Sequence, residues 1–422
     1  MGCLLESLPK LTTKVTLTPW ITFLMGVALK RGPANLEEAA WLEISTFTVL
    51  RRVTFARNLD AVTVALIWVV IAVFGEMSIA SVCNVRTYAE VVFTGIPLGL
   101  TADEASLTMG PGVLLMAALV LLTSWLAHHI RPGEVDAELR PAFQFPLGRF
   151  RKFWSTGLWL LFIFLLSPAV VGLVYKVGVT VTQTNGDFVR GWSLVKGFWI
   201  TVGSIAAYRT ELTWTFWLSL SVSALTVVFA FLLSDVARRG RGGHWLVCLG
   251  CAFLFAIPGP VVGLATAWIL NRPLLYALAP VIDRTILAPT LAILTLTLPI
   301  VTFYFWHCFV SQQQIREAAA LDGSTWWRTH LHITIPTNLR MIGAGALIAF
   351  VLAANDIGAS VLVLPAGIDT MARRIFGLLH FGGEDDVAGI LLMNLLVVAV
   401  IAIVIRRLTG APGGNGYRDR VP

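Results

Sequence analysis

Two acidic residues stand deep inside apolar stretches of the sequence, where a carboxylate has few polar neighbours. Glu76 lies in "FGEMSIAS" and Asp356 in "ANDIGAS", each roughly 15 residues, or about 22 Å of helix, into an apolar run. A charged carboxylate inside a membrane costs a few kcal/mol unless it faces protein or water. The two residues therefore either line a path suited to a cationic substrate or metal, or hold helices together through hydrogen bonds.

Thiols and imidazoles are present, but their spacing does not build a metal or redox centre. Of the five cysteines, Cys248 and Cys251 form a C-x-x-C pattern inside an apolar span, and we interpret both as buried structural thiols. The histidines at predicted helix ends are expected to be solvated at the membrane interface: His128 with His129, and His330 with His332. The sequence predicts no metal site and no cofactor bound by this chain.

The chain has none of the motifs that carry common enzyme chemistry. A glycine-rich phosphate loop, a zinc-binding histidine helix and a nucleophile elbow are all missing from the sequence. We therefore predict no catalytic residues and no ATP hydrolysis by the chain itself. An integral-membrane enzyme, the competing class, would gather titratable residues at one membrane face, and the sequence shows no such convergence.

The composition is that of an integral membrane protein. Hydrophobic residues make up 57% of the 422 residues and charged residues only 13%, with a mean hydropathy of +0.79, whereas soluble domains are about one-quarter charged. Runs of about 20 apolar residues can span a bilayer as helices. We predict an all-α fold with about nine transmembrane helices, at residues 11–29, 60–82, 111–129, 155–175, 212–234, 245–270, 286–309, 341–364 and 386–405.

The sixth of these spans contains the sequence "AIPGPVVGLA". Pro258, Gly259 and Pro260 are expected to break the helix, because proline cannot donate a backbone hydrogen bond. The freed carbonyls must then be satisfied by neighbouring helices or by a cavity. The break is either a structural kink or part of a gate.

Basic residues set the predicted orientation, since lysine and arginine are retained on the cytoplasmic side. If residues 310–340 are cytoplasmic, the segments on that side hold 20 of the 31 lysine and arginine residues. The C-terminus is then cytoplasmic and the N-terminus lies outside. Because "MGCLLESLPK" does not resemble a cleavable signal, we expect residues upstream of Met1 to be missing. The net charge of +7 reflects this bias rather than nucleic-acid binding.

An internal repeat relates the two ends of the chain. A shift of 279 to 280 residues lays "LEEAAWLEISTF" over "IREAAALDGSTW" and, after a one-residue gap, "VTFARNL" over "ITIPTNL". We predict one and a half copies of a six-helix lobe in a parallel pseudo-twofold arrangement. Residues 1–150 would hold about three spans of the first lobe, and residues 151–422 the complete second lobe.

The second copy of the repeated loop combines small residues with turn formers. Helix formers lead to Ala318 and Ala319, and Gly323 stands where a left-handed helix end is wanted. Ser324 is placed to cap the next short helix, and Pro336 suits the first turn of the following span. On these features alone, the loop is an interfacial helix that links two spans.

The loop resembles the EAA signature (EAA-x3-G-x9-I-x-L-P) of ABC importer permeases. The matching residues are Glu317, Ala318, Ala319, Gly323, Ile333 and Pro336, with Ile335 in place of the leucine. The resemblance covers essentially the whole chain and is to the fused, two-lobed permeases of ferric iron and thiamine importers. It implies a multi-pass protein of the bacterial inner membrane that moves a small solute, with ferric iron favoured over thiamine.

The resemblance also implies partners. A periplasmic binding protein would deliver the solute to outer loops, chiefly residues 176–211 and 365–385. Separate ABC ATPase subunits, two of them, would hydrolyse ATP. In such permeases the EAA residues form a cytoplasmic coupling helix that docks into a cleft of the ATPase, so this role is expected for the loop in residues 310–340.

The first copy of the loop, in residues 30–58, departs from the signature. It keeps Glu38, Ala39 and Ala40 but has Ile44 where the glycine is expected. A β-branched residue does not cheaply adopt a left-handed conformation, so we expect this loop to turn differently and the two docking sites to be unequal. An inactive or repurposed truncated permease remains an alternative.

Overall fold

Among the residues that the structure describes, the regular structure is helical apart from one antiparallel hairpin. The computed structural model describes residues 34–56, 59–75, 87–95, 102–129, 151–184, 187–274, 279–310, 318–319, 321–381 and 383–409. Within these residues, four helices are long and apolar enough to cross a membrane, and two bent helix pairs raise the number to six. The prediction of an all-α membrane protein is confirmed at this level. The first predicted span, at residues 11–29, lies outside the described residues.

The chain divides into two compact units, Met1–Val170 with Ala256–Pro258, and Val171–Phe255 with Gly259–Pro422. In the first unit the helices Leu59–Gly75 (α3) and Tyr88–Gly95 (α4) both pack against Ala102–His129 (α5). Gly112 of α5 permits the contact with α4, because a Cβ at this position would overlap the ring of Tyr88. The described elements of the first unit are α1 (Ala34–Glu43), α2 (Thr46–Val49), a π-helical turn (Leu50–Phe55), α3 (Leu59–Gly75), α4 (Tyr88–Gly95) and α5 (Ala102–His129).

Helix α6 (Arg151–Gly178) leads into the second unit, which holds most of the described chain. Its elements are β1 (Val179–Thr184), β2 (Asp187–Trp192), α7 (Leu194–Ala207), α8 (Arg209–Arg239), α9 (Arg241–Ala256), α10 (Gly259–Leu270), α11 (Ala279–Ile282), α12 (Leu287–Val310), α13 (Trp326–Thr329), a π-helical turn (His330–Thr334), α14 (Ile335–Thr337), α15 (Leu339–Ala354), α16 (Met371–Phe381) and α17 (Glu384–Thr409).

Helices α8, α12 and α15 pack against one another and form the centre of the second unit. Phe305 and Phe309 of α12 are fully buried there and stack with their ring centroids 5.4 Å apart. Gly345 of α15 permits this packing, because a Cβ would stand 2.5 Å from the ring of Phe305. The hydroxyls of Thr226 and Thr297 share a buried hydrogen bond of 2.8 Å between α8 and α12, so these two side chains satisfy each other inside the centre.

The stretch at residues 176–211, predicted as an outer loop, is largely regular structure. Strands β1 and β2 pair antiparallel, with Val179 opposite Trp192. Ser193 then caps α7 by accepting a hydrogen bond from the backbone N–H of Lys196. The Lys196 ammonium lies 3.0 Å from the carboxylate of Asp385 at the start of α17, which ties this stretch to the rest of the unit.

The predicted span at residues 341–364 is too long. Helix α15 ends at Ala354, and turns follow because Asp356 accepts a hydrogen bond from the backbone N–H of Ser360 at 2.9 Å. A side chain that bonds the backbone in this way competes with helix continuation. Asp356 therefore lies beyond the end of a helix and not within one.

Candidate functional site

The motif segment, residues 318–337, begins with a glycine-terminated helix end. Gly323 has φ 74, and the N–H of Ser324 bonds the carbonyl of Ala319 at 3.0 Å, which is the long bond of a Schellman motif. The predicted left-handed conformation of Gly323 is confirmed. Ala318 is exposed and Ala319 is buried, so of these two alanines Ala318 is the one that offers a free surface. Glu317 lies outside the described residues.

The residues after this turn differ from the prediction in two places. The N-cap of α13 is Thr325, not Ser324, and the hydroxyl of Ser324 instead accepts a hydrogen bond from that of Thr329 at 3.0 Å. Pro336 lies in the short helix α14 and not in the following span, because a break at Asn338 bends the chain by 78° before α15. Ile333 is half-buried in the π-helical turn between α13 and α14.

A buried carboxylate holds the motif segment to the end of α8. Asp235 is 1% exposed. Its Oδ2 accepts hydrogen bonds from the indole N–H of Trp326 at 2.9 Å and from Nη2 of Arg239 at 2.8 Å. Its Oδ1 lies 3.2 Å from Nε2 of His330 and 3.5 Å from Nη2 of Arg238. We refer to these five residues as the Asp235 cluster.

The Asp235 cluster joins the ends of two spanning helices to the motif segment. Arg238 donates to the carbonyl of Phe309 at 3.3 Å and lies over its ring, 5.0 Å from the centroid, which brings in the end of α12. His330 stacks on Trp326 with centroids 4.3 Å apart. Because a buried charge is tolerated only when it is paired and hydrogen-bonded, the cluster fixes α13 against α8.

Sequence reasoning missed this cluster and was wrong about His330. The predicted solvated histidine is 2% exposed, whereas its neighbour His332 is exposed as expected. Asp235 is followed by Arg238 and Arg239, a spacing that is also typical of ion pairs on a solvated helix surface. The signal that distinguishes it is its place at the end of an otherwise apolar span.

The first copy of the loop repeats the local backbone of the second. After α1, Ser45 stands in an extended conformation like Thr325. Four helical residues and a π-helical turn follow in each copy, Thr46–Val49 with Leu50–Phe55 and Trp326–Thr329 with His330–Thr334. Equivalent residues of the two copies are 280 positions apart. The helices that follow the loops keep this spacing, because α3 begins at Leu59 and α15 at Leu339. This correspondence supports the internal repeat.

As expected, the first loop turns differently from the second. One residue, Ile44, separates α1 from Ser45, whereas Gly323 and Ser324 occupy the equivalent turn. The one-residue gap in the alignment of the two copies therefore lies in this turn, before Ser45 and Thr325. Ile44 continues the helical pattern with an N–H bond to Ala40 at 3.0 Å. Glu38 and Ala39 are exposed, and Ala40 is half-buried.

The helix that follows the predicted break lies beside the turn at Asp356 in the second unit. Helices α9 and α10 meet at 102° around Pro258. A Cβ on Gly259 would stand 3.0 Å from the backbone of Gly358, and one on Gly263 would stand 2.6 Å from the carbonyl oxygen of Ala359. The broken helix thus packs directly on the turn that begins at Asp356. Glu76, its counterpart in the first copy, lies outside the described residues.

Asp356 lines a cavity of about 170 Å³ among α9, α12 and α15. Its lining is mostly apolar and consists of Phe255, Ile293, Leu296, Thr297, Ile300, Leu352 and Asp356. Among the described residues, no group of three or more histidine, cysteine, aspartate or glutamate side chains is placed to hold a metal ion.

In comparisons with known proteins, no family model and no curated protein sequence matches the chain.

Proposed function

We propose that the chain is the membrane-spanning permease subunit of an ATP-driven ABC importer, coupled to a separate ATPase through the motif segment. The proposal includes about nine spans in one and a half permease lobes, a bacterial inner-membrane location and a cytoplasmic C-terminus. A periplasmic binding protein would deliver the solute. The chain itself binds no ATP.

The observation that carries the proposal is the anchored geometry of the motif segment. A subunit that receives force from an ATPase needs a rigid element at one end of the spanning helices. The segment meets this need, because the Gly323 turn fixes its start and the Asp235 cluster holds α13 against the ends of α8 and α12. Ala318 stays exposed beside the turn, where a partner can approach.

The C-terminal end of α17 lies at the same end of the unit. A Cβ on Gly343, near the start of α15, would stand 3.9 Å from the side chain of Leu408. Arg406 and Arg407 precede Leu408, and Arg238, Arg239 and Arg328 lie in or beside the Asp235 cluster. Basic residues at one end of the helices support a cytoplasmic location for this end.

A purification from the native membrane tests the proposal. The tagged chain, extracted in mild detergent, is expected to bring down an ABC ATPase, identified by mass spectrometry. Ala318→Glu should remove the ATPase, because a charged side chain is added on the proposed docking surface. Asn271→Glu adds the same charge at an exposed position at the end of α10 and should leave the ATPase bound. Absence of any ATPase from the unmodified chain would overturn the proposal.

A further inference from the structure

The cavity beside Asp356 has an unusual lining for a space between membrane helices. Six of its seven lining residues carry no charge, none is basic, and Asp356 supplies the one carboxylate. Phe255 and Leu352 present apolar surface from α9 and α15. An acidic group that faces a cavity inside a spanning region marks a functional site more often than a structural one.

The size of the cavity suits an organic molecule rather than a bare ion. At about 170 Å³, it is comparable to the apolar cavities of about 150 Å³ that bind a benzene-sized ligand in other proteins. Small-molecule sites are commonly apolar cavities with a few polar groups that orient the ligand. The lining therefore favours a ligand with an apolar body.

The position of the carboxylate is fixed by its own turn. Oδ2 of Asp356 accepts from the N–H of Ser360 at 2.9 Å, and the Ser360 hydroxyl bonds the Asp356 carbonyl at 2.9 Å. The tight contact of Gly259 with Gly358 holds this turn against α10. A carboxylate held at an apolar wall without a basic neighbour in the lining attracts a cation, and an aromatic ring such as Phe255 adds to that attraction.

We infer that this cavity binds a small organic cation with an apolar or aromatic body, with Asp356 as its counter-ion. Binding of the cation does not depend on the proposed transport function, but its identification as the transported solute rests on that function. A hard metal ion such as ferric iron prefers several oxygen ligands, whereas the lining offers one carboxylate and the Thr297 hydroxyl, which is already paired with Thr226 at 2.8 Å. The cavity thus favours an organic cation over ferric iron as the solute.

Binding of benzyltrimethylammonium to the full chain in detergent, measured by isothermal titration calorimetry, tests the inference. Asp356→Asn should weaken binding about tenfold or more, because it removes the charge. The amide oxygen can still accept from Ser360, so the turn is kept. Leu352→Phe should abolish binding by filling the cavity while the carboxylate stays.

Asp283→Asn is the matched control, because it removes a carboxylate at an exposed position outside the cavity, and it should bind like the unmodified chain. Equal binding of the cation to the unmodified chain and to Asp356→Asn would overturn the inference. Failure of the unmodified chain to bind, while the ATPase still co-purifies, would overturn the inference and leave the proposed function intact. Asp356-dependent binding without any ATPase would support the cavity and refute the importer.

Discussion

At the scale of single residues, Asp235 is a buried carboxylate whose partners include residues distant in the sequence. Its carboxylate is 1% exposed and bonds partners up to 95 residues away in the sequence. Such partners could not be predicted from local spacing, because the residues around Asp235 do not indicate a contact with Trp326 or His330. Gly323 is the opposite case, because a helix end in this geometry requires a residue that tolerates positive φ, and that requirement is local.

Asp235→Ala should destabilise the second unit by about 3 kcal/mol, because it leaves the buried guanidinium of Arg238 without its counter-charge and removes a hydrogen-bond partner of the buried His330. The same change should speed amide hydrogen exchange in residues 326–337. Asp386→Ala, at an exposed aspartate of α17, should stay within about 0.5 kcal/mol of the unmodified chain. Unchanged exchange in Asp235→Ala would show that the cluster does not hold the motif segment.

Gly323→Ala should cost about 1 kcal/mol, since a side chain is disfavoured at φ 74 although nothing lies within 4 Å of the added Cβ. Gly377→Ala is the control, because it also adds a Cβ in open space but within helix α16, where alanine is favoured over glycine. Thermal unfolding in detergent, followed by tryptophan fluorescence, should therefore show opposite shifts for the two variants. Shifts of the same sign would contradict the left-handed turn.

At the scale of elements, the sequence predicted the helix break but not what it packs against. Proline and glycine in "AIPGPVVGLA" indicate an interruption wherever they occur in a span, and the 102° bend follows. The end of α15 was harder to predict from the sequence, because residues 355–364 are nearly as apolar as a membrane-spanning helix. The early end follows from the hydrogen bond that Asp356 accepts from Ser360, and from Gly358, whose backbone lies against Gly259.

Gly263→Ala should be destabilising by about 1–3 kcal/mol, because its Cβ would lie 2.6 Å from the carbonyl oxygen of Ala359 and force α10 away from the turn. Gly250→Ala adds the same methyl group to α9 with nothing within 4 Å and should be tolerated. Thermal unfolding of both variants in detergent checks this difference. Equal stability would mean that α10 and the turn at Asp356 can separate freely, and that the break acts as a loose hinge.

At the scale of the whole molecule, composition was enough to predict a helical membrane protein, because apolar runs of this length have few other uses. Composition could not give the number of spans. Residues 11–29 and 76–82 lie outside the described part, and α15 is shorter than the span predicted for it. Among the described residues, the helices that follow each loop nevertheless come in the same order: a helix of 16 or 17 residues, a shorter helix, and one of 26 or 28 residues.

Orientation in the membrane is a property of the whole molecule. If α17 crosses the membrane, its two ends lie on opposite sides. Asp386 lies at its start and Leu408 at its end, about 33 Å apart along a helix of this length, and Leu408 is on the same end of the unit as the motif segment. If the basic end is cytoplasmic, cysteine placed at Asp322 should react with a membrane-impermeant maleimide in inverted vesicles and not in intact cells. Cysteine at Asp386 should show the reverse.

The labelling needs a background in which the native cysteines are replaced, since Cys248 and Cys308 are only half-buried. Asp322 and Asp386 are matched, because both are exposed aspartates and their replacement removes the same charge. Reaction of both from the same side would contradict a helix α17 that crosses the membrane. Reaction of Asp322→Cys only from outside would place the motif segment on the side opposite a cytoplasmic ATPase. The orientation predicted from the basic residues would then be wrong for every span.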